Sequence, residues 1–325
     1  MMSKKLVTVL LAAAVVLTSA PIWASDVTVL FIPKVTGNAF FEAANAGAQA
    51  YASRHGFSVD YRGNPEADVQ HQITLIDMAI QQRNADAICI SALDAGRLDT
   101  ALKRAMRSGI KVVTWDSDVS GDARSLMVSQ GTPEQLGKML VEMAAKSLAA
   151  RGKKPAVDEI RYAWHYSQAS VTDQNSWQDA GEKYIKRAYP KWINAAPDNY
   201  YSFQDPEQAV SVGEAIFAEH PDIDLIICND STSLPGQAAA AQKLGKTARD
   251  VTITGFASPN AMREFCKAGV VDRWGLWDCQ VQGALGCYLA WYLASGYTVK
   301  VGDKVNIPEI GTVEVMPNTV LDPGA

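Results

Sequence analysis

From Val27 onward, short β-branched runs alternate with longer amphipathic runs. Residues 27–33, 57–61, 87–91 and 110–115 read as buried strands, and residues 40–55, 69–82 and 97–108 carry helical spacing between them. Few folds accept this pattern. Strands joined through helices run parallel, so the C-terminal ends of all of them lie on one edge of the sheet while the helices cover its faces. Gly56 and Gly109 stand where two of the helices need C-terminal caps.

The pattern restarts at Thr132, an N-cap with Pro133 at the first helical position, opening a helix over 133–150. Strands over 159–166, 191–196, 224–228 and 251–256 then alternate with helices over 175–188, 206–219, 234–244 and 259–268. The 325 residues are enough for two cores. The expectation is an α/β protein of two doubly wound parallel-sheet lobes, with strand ends facing each other across a cleft suited to a small molecule.

The strand ends carry unusually polar residues. In Thr114-Trp115-Asp116-Ser117-Asp118, a carboxylate follows a strand and sits beside a large apolar face suited to a sugar ring. Lys34 ends the first strand, and Asn38-Ala39-Phe40-Phe41 opens the first helix, where one Phe faces the core and the other could wall the cleft. Asp173 and Gln174 follow the first strand of the second half. Asn229, Asp230 and Ser231 follow another, and Trp277 and Asp278 repeat the Trp–Asp pairing. Each Asp also has a plain structural reading as a helix cap, and Lys34 as a solvated surface residue. Taken together, these ammonium, amide, carboxylate and aromatic groups are an inventory for a neutral polyhydroxy ligand, whose buried hydroxyls each need partners. No G-x-S-x-G, P-loop or G-x-G-x-x-G occurs, which argues against an enzyme; a pair of Asp across a cleft leaves a glycosidase as the rival reading.

Lys4 and Lys5, the apolar run 6–17 and Ala24 form a signal-peptide pattern, so 1–24 is expected to be removed on export to the periplasm. A net charge of −5 without a Lys/Arg cluster gives no sign of nucleic acid binding. The five cysteines contain no metal-binding spacing. Cys89 and Cys228 lie in apolar runs as small buried hydrophobes, while a Cys266–Cys279 bridge stays open. Neither a cofactor nor a metal is expected.

Several ordered pieces carry a resemblance: Phe31-Ile32-Pro33-Lys34, Ala101-Leu102-Lys103-Arg104-Ala105-Met106, Thr114-Trp115-Asp116-Ser117-Asp118, Gln130-Gly131-Thr132-Pro133, Val171-Thr172-Asp173-Gln174-Asn175, Leu234-Pro235 and Gly275-Leu276-Trp277-Asp278. The chain resembles type I periplasmic binding proteins of the ribose-binding class, and among them the autoinducer-2 receptors of the Lsr uptake systems. The resemblance implies a receptor that hands a sugar-like ligand to the permease and ATPase subunits of an ABC importer. It implies a multi-segment hinge, with 25–131 plus 279–299 as the first lobe and 132–278 plus 300–325 as the second. It also implies ligand contacts at Lys34, Asp116, Asp173 and Gln174. Where the autoinducer receptors have Pro and Ala, this chain has Asn229 and Ser231. These two are expected to read hydroxyls of a sugar or polyol, with autoinducer-2 itself as the alternative ligand.

Overall fold

The structure is a computed structural model that describes residues 27–317. The expected signal peptide, 1–24, lies outside the described residues. The first half builds β1 (Thr28–Ile32), α1 (Ala39–His55), β2 (Ser58–Tyr61), α2 (Val69–Gln82), β3 (Ala87–Ile90), α3 (Ala95–Arg107), β4 (Lys111–Trp115) and β5 (Leu126–Val128). These strands form one parallel sheet in the order β2-β1-β3-β4-β5. Strand alternation divides its side chains between two cores. Val29, Phe31, Cys89, Val113 and Trp115 face one layer with α1, and Leu30, Ile32, Ile88, Ile90 and Val112 face the other with α2 and α3.

The second half comprises α4 (Pro133–Ala150), β6 (Ile160–Tyr166), α5 (Thr172–Ala188), β7 (Trp192–Asn194), β8 (Tyr200–Tyr201), α6 (Pro206–Glu219), β9 (Leu225–Cys228), α7 (Ser233–Lys243), β10 (Thr252–Gly255) and α8 (Pro259–Lys267). Its sheet is also parallel, in the order β10-β9-β6-β7, with β8 alongside β6. Tyr162, Trp164, Leu225 and Ile227 pack beneath α4 and α5, whereas Ala163, Ile226, Cys228 and Ile253 pack beneath α6, α7 and α8. Thr132 caps α4 through a reciprocal capping box with Gln135, as its sequence context predicts. Both sheets are therefore doubly wound, as expected.

After β10 and α8 the chain returns to the first lobe as α9 (Cys279–Ala294), which supplies Ala284, Cys287, Leu289 and Leu293 to the core beneath α1. The two helices meet almost backbone to backbone. A Cβ on Gly47 would lie 2.2 Å from the carbonyl oxygen of Gln280, and one on Gly283 would lie 2.2 Å from that of Ala44. The hairpin of β11 (Lys304–Ile307) and β12 (Gly311–Glu314) corrects one expectation. Residues 304–314 pack on the first lobe, not the second. Ile307 joins the core under α1, Tyr51 donates to the carbonyl of Pro308 at 2.6 Å, and Arg54 pairs with Glu309 at 2.9 Å. The hairpin covers an apolar edge that α1 and α9 leave open.

All five cysteines are free, with Cys266 exposed and Cys279 buried, so the open possibility of a Cys266–Cys279 bridge is not realised. Among the described residues, no helix is long and apolar enough to cross a membrane.

The α1–α9 contact makes the first lobe sensitive to side-chain volume. Gly47→Val should destabilise it by about 1–3 kcal/mol, the scale of overpacking a filled core. A urea titration followed by far-UV circular dichroism measures the loss. Unchanged stability would show that the helices are not in close contact.

Candidate ligand-binding site

The topology explains where the polar residues meet. In each sheet the strand order reverses once, between β1 and β3 in the first and between β6 and β9 in the second. Ligands of open α/β sheets bind outside the carboxyl ends of the strands at such points. Lys34 follows β1, Ser91 follows β3, and Asp116 follows β4. From the second lobe come Gln174 in the first turn of α5, Asn229, Asp230 and Ser231 after β9, and Phe256 after β10. All of these but Ser91 border one narrow cavity, lined also by Phe40, Phe41, Trp177, Gln204, Leu276 and Trp277.

The charge centre is Lys34. It is 3% exposed, and its ammonium stands 3.0 Å from Asp116 Oδ2. Burial works against the Lys34 cation, but the charges of Asp116, Asp173 and Asp230 outweigh it and hold the pKa above the ordinary lysine value. Ser91 Oγ donates to the same Asp116 oxygen at 2.7 Å, and Gln130 Nε2 donates to the Asp116 carbonyl at 3.1 Å. These bonds hold Asp116 in a left-handed backbone conformation, φ +59°. Asp tolerates that region better than most residues do.

The other two carboxylates are raised chiefly by burial. Asp173 does not border the cavity, yet it lies close enough to Lys34 and Asp116 to feel both. Neither of its oxygens has a hydrogen-bond partner. Burial and, secondarily, the Asp116 charge push its pKa up to about 7 against the pull of Lys34. Asp230 is also raised by burial, although Oδ1 accepts from the backbone N–H groups of Thr232 at 2.8 Å and Ser233 at 3.0 Å, and Oδ2 from the Ser233 hydroxyl.

The neutral polar residues are mostly engaged with protein. Gln174 Oε1 accepts from Ser167 Oγ at 2.7 Å. Asn229 Nδ2 donates to the Gln174 carbonyl at 3.1 Å, whereas Asn229 Oδ1 is buried without a partner. Ser231 borders the cavity, but its hydroxyl donates to Asn38 Oδ1 at 3.2 Å. Asn38 itself caps α1, accepting from Phe40 N at 2.9 Å, and is not part of the lining.

Aromatic rings form the apolar wall. Phe40 and Phe41 both border the cavity, where one had been expected to face the core alone. Trp277 packs edge-on against Phe40, Trp177 and Phe256, with its indole N–H donating to Gln282 Oε1 at 2.6 Å. Besides Asn38 and Asp173, two further expected residues lie off the cavity. Trp115 is 0% exposed and lies behind the wall, 5.9 Å from Phe40 and 4.9 Å from Phe31, because the last residue of β4 alternates toward the core. Asp278 is exposed and caps α9, accepting from Val281 N at 3.1 Å. Trp177, Gln204, Phe256 and Leu276 were not singled out as site residues. Trp177 stands one helical turn beyond Gln174, and Phe256 ends a strand that was expected, so spacing could have found both. Among the described residues, no group of three His, Cys, Asp or Glu side chains could hold a metal.

A periplasmic binding protein domain matches residues 29–298. The chain belongs to that family. It is 24% identical, over 83% of each chain, to the D-ribose/D-allose-binding protein of Pseudomonas aeruginosa. It is 64% identical to LsrB from Clostridium saccharobutylicum, whose structure holds AI-2; that match covers 92% of this chain and 91% of the other, with a TM-score of 0.90. An L-rhamnose-bound ABC transporter solute-binding protein from Clostridium phytofermentas shares the fold, with a TM-score of 0.79 at 24% identity over 90% of this chain and 91% of that one.

The raised Asp173 pKa predicts a pH dependence. Its folded value is about 7 and its reference value 3.8, so between them the folded chain keeps a proton that the unfolded chain has lost. The stability contribution is complete below the reference value and is lost as pH rises to about 7. Asp173→Asn should therefore narrow the stability difference between pH 5 and pH 8 by on the order of 1–3 kcal/mol. Urea titrations at the two pH values read it directly. An equal difference in variant and parent would place the proton elsewhere.

Proposed function

We propose that this chain is the solute-binding protein of an ABC importer and that it takes a small furanosyl ligand, autoinducer-2 foremost, between its lobes. The observation that carries this reading is the buried Lys34–Asp116 pair beside Asp173 and Asp230, beneath the wall of Phe40, Phe41, Trp177 and Trp277. Carboxylates accept from ligand hydroxyls, and charge-assisted bonds of this kind are stronger than neutral ones. The rings cover the apolar face of a small cyclic molecule. Similarity to the AI-2-bound LsrB favours that ligand over others of the same size. The first lobe, in this reading, is 27–131 with 279–317 and the second 132–278, and closure about the two crossings brings Lys34 and Asp116 against Gln174 and Asn229. Residues 1–24 direct export, and the loaded protein docks on a membrane permease in the periplasm.

A ribose-like sugar is the second reading, favoured by the unpartnered Asn229 Oδ1. A ligand that presents one more hydroxyl donor there satisfies a group that otherwise costs roughly 1–3 kcal/mol when buried unpaired. A thermal-shift series with autoinducer-2, ribose, allose and rhamnose separates the readings, because a ligand stabilises by RT ln(1 + [L]/Kd). The largest shift is expected with autoinducer-2. A larger shift with ribose would install the sugar, and no shift with any would set aside the class.

Asp116 is expected to be a principal acceptor for that ligand. Asp116→Asn keeps its shape and should weaken binding by about 1.5–3 kcal/mol, the scale of a hydrogen bond to a charged group. Isothermal calorimetry giving the parent affinity would remove Asp116 from the contacts. Export predicts that protein recovered from the periplasm begins near Ser25 on N-terminal sequencing; a retained Met1 would refute it.

A further inference from the structure

Asn38 and Ser231 were both expected to touch the ligand, yet they touch each other. Asn38 precedes α1 in the first lobe, and Ser231 and Thr232 follow β9 in the second. Ser231 Oγ donates to Asn38 Oδ1, and Asn38 Nδ2 donates to Thr232 Oγ1, each at 3.2 Å. The polarity of this amide is dictated by its own helix. Oδ1 must accept from the backbone N–H of Phe40 to cap α1, so Nδ2 can only face the other lobe. Thr232 passes the chain of bonds on to Gln204 Oε1 at 3.3 Å, and Gln204 borders the cavity. A second set of bonds spans the lobes. Gln168 Nε2 and Ser170 Oγ both donate to the carbonyl of Leu93, at 3.0 and 3.3 Å.

We propose that Asn38, Ser231 and Thr232 form an interlobe latch, and that Ser231 governs affinity by positioning the lobes and not by reading the ligand. This rests on the reading of the cavity as a ligand site. In a protein that binds only when closed, the apparent dissociation constant is the intrinsic one divided by the closed fraction. A latch residue therefore changes the affinity of every ligand by one common factor. A residue that reads a ligand hydroxyl changes it unequally, according to whether that hydroxyl is present.

The experiment measures the interlobe distance distribution in ligand-free protein by double electron–electron resonance. Spin labels are placed at the exposed positions Glu66→Cys and Glu207→Cys in a Cys266→Ser background. Ser231→Ala and Thr232→Val should each lower the closed-to-open ratio by about 2- to 10-fold, the effect of losing one net hydrogen bond. Gln168→Ala should move it in the same direction through the second set of bonds. Calorimetry then compares Ser231→Ala with the parent for autoinducer-2 and for any sugar that gives a thermal shift, and equal fold losses are expected. An unchanged distance distribution overturns the latch. A shifted distribution with unequal losses overturns the claim that Ser231 does not read the ligand. The distance measurement needs no ligand, so the latch can stand or fall even if autoinducer-2 proves not to bind.

Discussion

One buried ammonium facing three carboxylates governs the organisation of this cleft. Lys34 pairs closely with Asp116 alone, so Asp173 and Asp230 are left with the remainder of its field, and burial raises both of their pKa values. A site balanced in this way is expensive to keep and difficult to substitute. Removing the Lys34 charge would leave several carboxylates in a poorly solvated space, and removing Asp116 would strand the lysine. The surrounding structure serves to hold these groups at fixed separation. Ser91 and Gln130 anchor Asp116 from two directions, while backbone N–H groups at the start of α7 anchor Asp230. What remains unanchored at the cavity, Oδ1 of Asn229, marks where a hydroxylated molecule has the most to offer.

Most of the architecture was legible in the residue pattern because the parallel strands are buried on both faces. Such strands read as continuous apolar runs, and the helices between them keep a one-sided periodicity. Residues 69–82, 133–150 and 206–219 were expected as helices with the ends that α2, α4 and α6 show. The short β5 and β8 were missed, since neither has a run long enough to register. The final hairpin was not expected, and its residues, within the 300–325 assigned to the second lobe, pack on the first through a few tertiary contacts, Ile307 and the Tyr51–Pro308 bond, which no local pattern encodes.

The site was legible in residue type more than in role. A polar residue after a parallel strand points to the sheet edge where the cavity lies, and Lys34, Asp116, Gln174, Asn229, Asp230 and Ser231 all line that cavity. Direction was the missing information. Trp115 and Asp116 are neighbours, yet strand alternation sends the indole into the core and the left-handed turn at Asp116 accompanies a carboxylate at the cavity. Asp278 looked like a repeat of the same motif but precedes a helix directly, and capping claims it. Gln204 carried no signal at all. It and Phe203 adopt consecutive positive-φ conformations, +62° and +54°, without a glycine or asparagine to announce them.

The close crossing of α1 and α9 bears on the order in which the molecule assembles. The partner of α1 lies at residues 279–294, beyond the entire second lobe. Until that segment joins, the apolar face formed by α1 and the first sheet has no cover where α9 belongs. The second lobe runs unbroken from α4 through α8 and has no such dependence. Contacts between residues distant in the chain carry the larger loop-closure cost and form late. The chain is therefore built to complete its second lobe first and to seal the first lobe last. During that interval its association-prone surface is the one on which Gly47 awaits Gln280 and Ala44 awaits Gly283.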